Sequence, residues 1–254
     1  MNILLVNDDG FDSAYLREFC RMAADRGHRV RVCAPMFQQS AKSHSFTILE
    51  PVLTQERKMD GAERAWAIAG TPVDCSRIGF LELYPEAEIV ISGINNGLNE
   101  ASSVYPSGTV AAAREAALYR LPAMAVSAGY CLPDETLRYY IAWCLKIAER
   151  LIVYDRPDRA LLNVNIPGVP LAELKAPVFC PPDPAAYENR YIRREDPRGN
   201  TYFWLGPEVH NDHPSEGTDI WYLNRGHITC TFIGPYDLDQ SRFADLLEDT
   251  PGAV

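Results

Sequence analysis

Asp8 and Asp9 stand side by side and are followed by Gly10. Neighbouring carboxylates repel, so gathering both at one place is costly unless a cation binds them or one takes a proton. Two readings fit the pair. It is either a solvated acidic turn, with Asp9 capping a following helix, or a pair of oxygen ligands for a metal ion. Ser107-Gly108-Thr109 leads into an Ala-rich stretch. It offers either plain hydroxyl capping or free backbone N–H groups that can hold an anion at a helix start. Asn95, Asn96 and Asn99 lie around Gly93 and Gly97. They are neutral oxygen donors or simply turn-forming residues. His210-Asn211-Asp212-His213 is the one stretch with the nitrogen ligands of a transition-metal site, and its Pro- and Gly-rich flanks read as a surface loop. A set rich in oxygen and poor in nitrogen and sulfur suits Mg²⁺, Mn²⁺ or Ca²⁺ better than zinc.

These residues need a scaffold, and the hydrophobic pattern supplies one. Ile3 to Val6 is a short aliphatic run that reads as a buried strand. A helix follows, with Leu16, Phe19, Cys20 and Ala23 at spacings of three and four and Gly27 as its stop. Val30 to Ala34 is a second strand, so the first 35 residues form a βαβ unit. The alternation continues. Strands are expected at Ala65 to Ala69, Ile89 to Ser92, Ala123 to Ser127 and Leu161 to Ile166. Helices are expected from Thr71-Pro72, where Asp74 completes a capping box, over Thr109 to Leu118, and along the stripe from Leu137 to Leu151. The pattern predicts an α/β fold with a mostly parallel, doubly wound sheet. Ligands of such sheets bind at the carboxyl ends of the strands, and that is where the candidate residues fall.

The character changes after Ala176. Prolines cluster, then Tyr191 to Arg194 and Thr201 to Leu205 flank the turn Asp196-Pro197-Arg198-Gly199-Asn200, which predicts a β-hairpin. Ile220 to Leu223 and Ile228 to Ile233 read as further strands, and the tail from Asp237 as weakly helical. The expected organisation is one unit over residues 1–254. An α/β core over 1–176 carries the site, and 177–254 form a hairpin arm and tail suited to assembly.

Of the 254 residues, 47% are hydrophobic and 23% charged, which excludes disordered and fibrous classes. The net charge of −10 lacks the basic footprint of duplex nucleic-acid binding. An acidic chain can still take a small anion if a bound cation supplies the positive charge. No apolar run reaches the ~18 residues of a membrane span. The four-residue apolar start is too short for a signal peptide, and the expected location is the cytoplasm. Seven scattered cysteines without a CxxC pair indicate neither a disulfide framework nor a zinc site.

Taken together, the motifs resemble the SurE family. Asn7-Asp8-Asp9-Gly10 follows an N-terminal strand, and Ala34-Pro35 precedes Ser40 and His44-Ser45. Gly70-Thr71-Pro72-Val73-Asp74-Cys75, Ser92-Gly93-Ile94-Asn95-Asn96-Gly97 and Ser107-Gly108-Thr109-Val110 come next. Asn163-Val164-Asn165-Ile166-Pro167 and the 196–200 turn complete the order. The resemblance implies a metal-dependent nucleotidase with a Rossmann-like core and a β-hairpin arm exchanged between subunits of a homodimer or homotetramer. It implies that Asp8, Asp9, Ser40 and Asn95 hold one divalent cation per subunit, Mg²⁺ or Mn²⁺, with Ca²⁺ able to stand in within a crystal. Asp8 or Asp9 would act in catalysis, and Ser107, Gly108 and Thr109, with Asn99 nearby, would hold the phosphate of a nucleoside monophosphate. Two other readings use the same residues: a broad phosphomonoesterase or exopolyphosphatase, and a member that binds metal or nucleotide without turnover. The Asp-x-Asp spacing of phosphoaspartate enzymes is missing after the first strand. Met36 and Gln39 replace the family's usual Asp and Arg, and Leu98, Ala101 and Ser103 depart from its next segment. These changes bear on substrate range more than on the metal ligands.

Overall fold

The structure is a computed structural model and describes residues 1–130, 132–184, 190–206 and 213–234. Cys131, His210 to Asp212 and the tail from Asp237 lie outside the described residues.

The apolar runs become the strands of one nine-stranded sheet. In chain order they are β1 (Asn2–Val6), β2 (Arg29–Pro35), β3 (Thr54–Glu56), β4 (Arg64–Ile68), β5 (Ile89–Asn96), β6 (Ala123–Ala128), β7 (Leu161–Ile166), β8 (Lys175–Phe179) and, after the arm, β11 (His227–Ile233). The strand order is β3-β4-β2-β1-β5-β6-β7-β11-β8. Strands β4, β2, β1, β5, β6 and β7 pair parallel. β3 and β11 join antiparallel to their neighbours β4 and β7.

Both faces of the parallel strands are covered, which is why β1, β6 and β7 read as continuous apolar or small runs rather than alternating ones. Helices α1 (Ala14–Asp25) and α4 (Asp134–Val153) pack on one face, where Leu16, Phe19, Tyr140, Ile141 and Cys144 are buried against Ile3, Leu5 and Val126. Helices α2 (Pro72–Ile78) and α3 (Gly108–Leu118) cover the other, over Leu4, Val6 and Val90. The expected capping box is present: Thr71 accepts from the Asp74 N–H at 3.1 Å while Asp74 Oδ2 accepts from the Thr71 N–H at 2.9 Å.

One local expectation changes, and two strands are added. Ile220 to Leu223 belongs to a short helix, α5 (Asp219–Leu223), not a strand. Ile220 and Leu223 are both buried, a spacing of three that a four-residue apolar run cannot distinguish from strand burial. β3 and β8 were not legible. β3 is fully exposed and polar, and β8 carries Pro177 on the sheet edge, where a missing N–H is tolerated. β11 is a strand as expected, and it sits inside the main sheet between β7 and β8. The hairpin is present as β9 (Tyr191–Glu195) and β10 (Thr201–Leu205), paired antiparallel and outside the main sheet.

Candidate active site

β1 has β2 on one side and β5 on the other, and the chain changes direction across the sheet at this point. The carboxyl ends of such strands open a crevice. Asp8 and Asp9 leave the end of β1, the 36–45 loop leaves β2, and Asn95 and Asn96 end β5.

Asp8 is only 4% exposed. The Thr109 hydroxyl, from the first turn of α3, donates to its Oδ1. Burial raises its pKa from 3.8 to about 6; the Thr109 hydrogen bond opposes that shift, and the neighbouring Asp9 charge adds to it. Asp9 is half-buried, and burial raises its pKa too, against a hydrogen bond from the Asn96 N–H at 3.3 Å. Among the described residues no ion pair involves either carboxylate. Gly108 lies directly against Asp8. A Cβ there would come within 2.9 Å of the Asp8 Cβ and 3.0 Å of Oδ2.

The other candidates divide by role. Ser107 caps α3, its Oγ accepting from the Val110 N–H at 3.1 Å. The Gly108 and Thr109 backbone N–H groups belong to the exposed-dipole end of the helix. The Thr109 side chain is fully buried, and both its hydroxyl and its backbone N–H are turned onto Asp8. Asn95 donates through Nδ2 to the Gly97 carbonyl at 2.7 Å, leaving its amide oxygen as the donor atom for a cation. Ser40 is exposed and accepts from Gln38 Nε2 at 3.1 Å. Its loop is pinned to the end of β1 by the Gln39 N–H, which donates to the Asp8 carbonyl at 2.7 Å.

Asp8, Asn99 and Ser107 line one cleft of about 350 Å³, together with Leu98, Glu100, Ser103, Pro106 and Tyr130. Asp9 and Asn96 line a neighbouring hollow with Gln38 and Tyr15. The two adjacent residues thus line neighbouring openings beside one turn. Among the described residues no cluster of three or more His, Cys, Asp or Glu is found. Any cation here relies on two acids and neutral oxygens. That chemistry fits a hard divalent ion, and a cation would offset the cost of burying Asp8 without a basic partner.

Three supporting groups carry no role in the sequence reading. Asn163 and Asn165 on β7 are buried and both donate to the Asn99 carbonyl at 2.9 Å; Asn165 Oδ1 also accepts from the Asn99 N–H at 2.7 Å. Asn99 Nδ2 then donates to Ser127 Oγ at 2.6 Å. The signal was available: residues i and i+2 share a strand face, and two asparagines inside an apolar strand need polar partners. Second, His44 Nε2 lies 2.8 Å from Oε2 of buried Glu115 on α3, and Ser43 bonds through N–H and Oγ to the Pro106 and Tyr105 carbonyls at 2.9 Å. These bonds clamp the Ser40 loop onto the start of α3. Third, Asp219 accepts from the Ala101 N–H at 2.8 Å and so fixes the turn Ala101–Val104 at the cleft edge.

Gly93 lets β5 reach this site. Its φ is +131°, and a Cβ would run into the Val126 carbonyl oxygen. The β5–β6 register shifts between Ser92 and Asn95, an irregularity that re-aims the residues that follow.

The comparisons with known proteins agree with this architecture. The family model described as Survival protein SurE matches residues 3–189. A protein named 5′-nucleotidase SurE from Desulfovibrio desulfuricans is 40% identical over 239 residues, 91% of each chain. One of the same name from Clostridium botulinum (strain Loch Maree / Type A3) is 36% identical over 253 residues, 98% of each chain. The crystal structure of the SurE protein from Aquifex aeolicus matches with a TM-score of 0.76 at 31% identity, covering 96% of both chains. The motif order, the strand order and these matches lead to one conclusion: this chain belongs to the SurE family.

Proposed function

We propose that the chain is a divalent-metal-dependent phosphomonoesterase that hydrolyses nucleoside 5′-monophosphates, and 3′-monophosphates as a second class, to nucleoside and phosphate. The observation that carries this reading is the apposition of Asp8 and the start of α3. A buried carboxylate that takes the Thr109 N–H lies beside Gly108, whose N–H a helix start can offer to an anion. A carboxylate and a phosphate repel, and a bound cation would offset that repulsion. Asp8, Asp9, Ser40 and Asn95 would hold it. When bound, the cation supplies positive charge against the phosphate and lowers the pKa of a water molecule. The names of the relatives, 5′-nucleotidase SurE, support the substrate class.

The chain's own residues do the rest. The Gly108 N–H and the Ser107 hydroxyl bind the phosphate oxygens at the start of the helix, where Thr109 follows, and stabilise them as charge builds. Asp8 or Asp9 accepts the proton of the attacking water. The new P–O bond forms as the P–O bond to the nucleoside breaks, and the leaving alkoxide takes up a proton. The Thr109 hydroxyl holds Asp8 in place throughout. The arm of β9 and β10 carries assembly into a homodimer or homotetramer.

The test is phosphate release from 5′- and 3′-nucleoside monophosphates, p-nitrophenyl phosphate and short polyphosphate, each with Mg²⁺, Mn²⁺ or EDTA. Metal-dependent release that favours nucleotides is expected. Equal rates on all substrates would replace the nucleotidase with a general phosphatase. No release from protein that binds the metal would overturn both.

A further inference from the structure

The cleft is larger than a phosphate needs. Its volume of about 350 Å³ falls in the ~300–1,000 Å³ range of small-molecule sites. The floor is polar, with Asp8, Asn99 and Ser107, while Leu98, Pro106 and Tyr130 supply apolar surface. Tyr130 stands out among them. It follows Gly129 just beyond the end of β6 and is 74% exposed, so the fold buries little of its ring.

The phenol nevertheless lies close to the chain at Gly97. A Cβ on Gly97 would meet the Tyr130 hydroxyl at 3.2 Å and its ring carbon at 3.4 Å. Gly97 has φ +146°, a conformation side chains rarely adopt, so the backbone beneath the phenol is bare. The Gly97 N–H donates to the Ala128 carbonyl at 2.8 Å, which ties this segment to the end of β6. One end of the ring therefore lies beside the segment that carries Asn95, and the residue lines the same cleft as Asp8 and Ser107. An exposed but positioned aromatic ring is a stacking surface. Stacking one base on such a ring is worth about 5- to 150-fold in affinity.

We propose that Tyr130 is the specificity-determining residue of this cleft, stacking on the nucleobase of a nucleotide whose phosphate lies at Asp8 and Ser107. The proposal rests on the phosphomonoesterase reading above and adds the group that tells a nucleotide from a sugar phosphate.

The experiment compares AMP with ribose 5-phosphate, which lacks the base, in the wild type and in Tyr130→Ala, Tyr130→Phe and Tyr130→Trp. The AMP to ribose 5-phosphate ratio of kcat/KM is expected to fall about tenfold in Tyr130→Ala, through KM, and to stay within about twofold in Tyr130→Phe and Tyr130→Trp. Calorimetric binding of AMP and of inorganic phosphate, both with Mg²⁺ present, gives a readout independent of turnover. AMP affinity should drop in Tyr130→Ala by the same factor, with no comparable change for phosphate. An equal loss on both substrates would assign Tyr130 a purely structural role and overturn the proposal. An unchanged ratio would overturn it too, while leaving the phosphatase reading intact. A wild type that hydrolyses neither substrate would sink the phosphatase reading, and the calorimetry would then decide whether Tyr130 recognises the base.

Discussion

At the residue scale, Asp8 sets function against stability. Its pKa rises from 3.8 to about 6 in the folded chain. Between those values the folded state holds a proton that the unfolded state has released. The stability of metal-free protein therefore falls as pH rises through this window, and the loss is complete above pH 6. Asp8→Asn removes the cost while keeping an acceptor for Thr109. In EDTA at pH 7.5 the variant should be more stable by roughly 1–3 kcal/mol in urea unfolding, with the gap closing near pH 4. The same variant should lose the rise in melting temperature that Mg²⁺ or Mn²⁺ gives the wild type, and about a hundredfold or more in turnover. A variant that keeps both would remove Asp8 from the metal site. Gly108→Ala probes the same contact from the helix side. Alanine favours a helix by up to ~1 kcal/mol, and overpacking against Asp8 and Pro72 costs about 1–3 kcal/mol. Stability should fall by up to about 2 kcal/mol in urea unfolding. Turnover should fall tenfold or more, because a misplacement of ~1 Å can cost ~10²-fold.

At the scale of elements, the cleft hangs on β7 although no β7 residue lines it. Asn165→Ala would leave the buried Asn99 N–H without its acceptor, a cost of about 1–3 kcal/mol in urea unfolding. It should also lower kcat/KM, since Asn99 shares the cleft with Asp8. If Asn165→Ala unfolds like the wild type, that bond does not hold the floor. Much of this level was legible from the chain. β1, α1, β2, the capping box of α2, α3, β6, α4 and β7 each carry a local signal that tertiary packing reinforces. α5 was not legible, because four apolar residues are too few to show a period. β8 was hidden by Pro177, and β3 had no apolar residue to announce it. In the site, Asp8 and Ser107 were visible as types in a known place. The partnership of Thr109 with Asp8 was not, because it joins residues 101 positions apart. The structural duty of Asn163 and Asn165 was missed for the same reason, although their alternation hinted at it.

At the scale of the whole molecule, the arm poses the question of assembly. Every residue of β9 and β10 is exposed, including Tyr191, Phe203, Trp204 and Leu205. A two-stranded hairpin is marginal by itself, and contiguous exposed apolar surface marks an interaction site. With the arm as the assembly element, the intact chain should sediment as a dimer or tetramer. Phe203→Ser combined with Trp204→Ser should shift it to monomer without changing the far-ultraviolet circular dichroism of the core. An intact chain that sediments as a monomer at micromolar concentration would overturn this role.

The root of that arm has a mechanical consequence. Asp219 Oδ1 accepts from the Asp183 and Ile220 N–H groups, and Oδ2 from the Ala101 N–H. Asp183 in turn accepts from the Ser215 N–H and the Thr218 hydroxyl, which cinches the two chain segments at the base of the excursion. Ala101 holds a φ of +46°, against the preference of its own side chain. A shift at the base of the limb would therefore be felt at the cleft edge, because one shared carboxylate holds both.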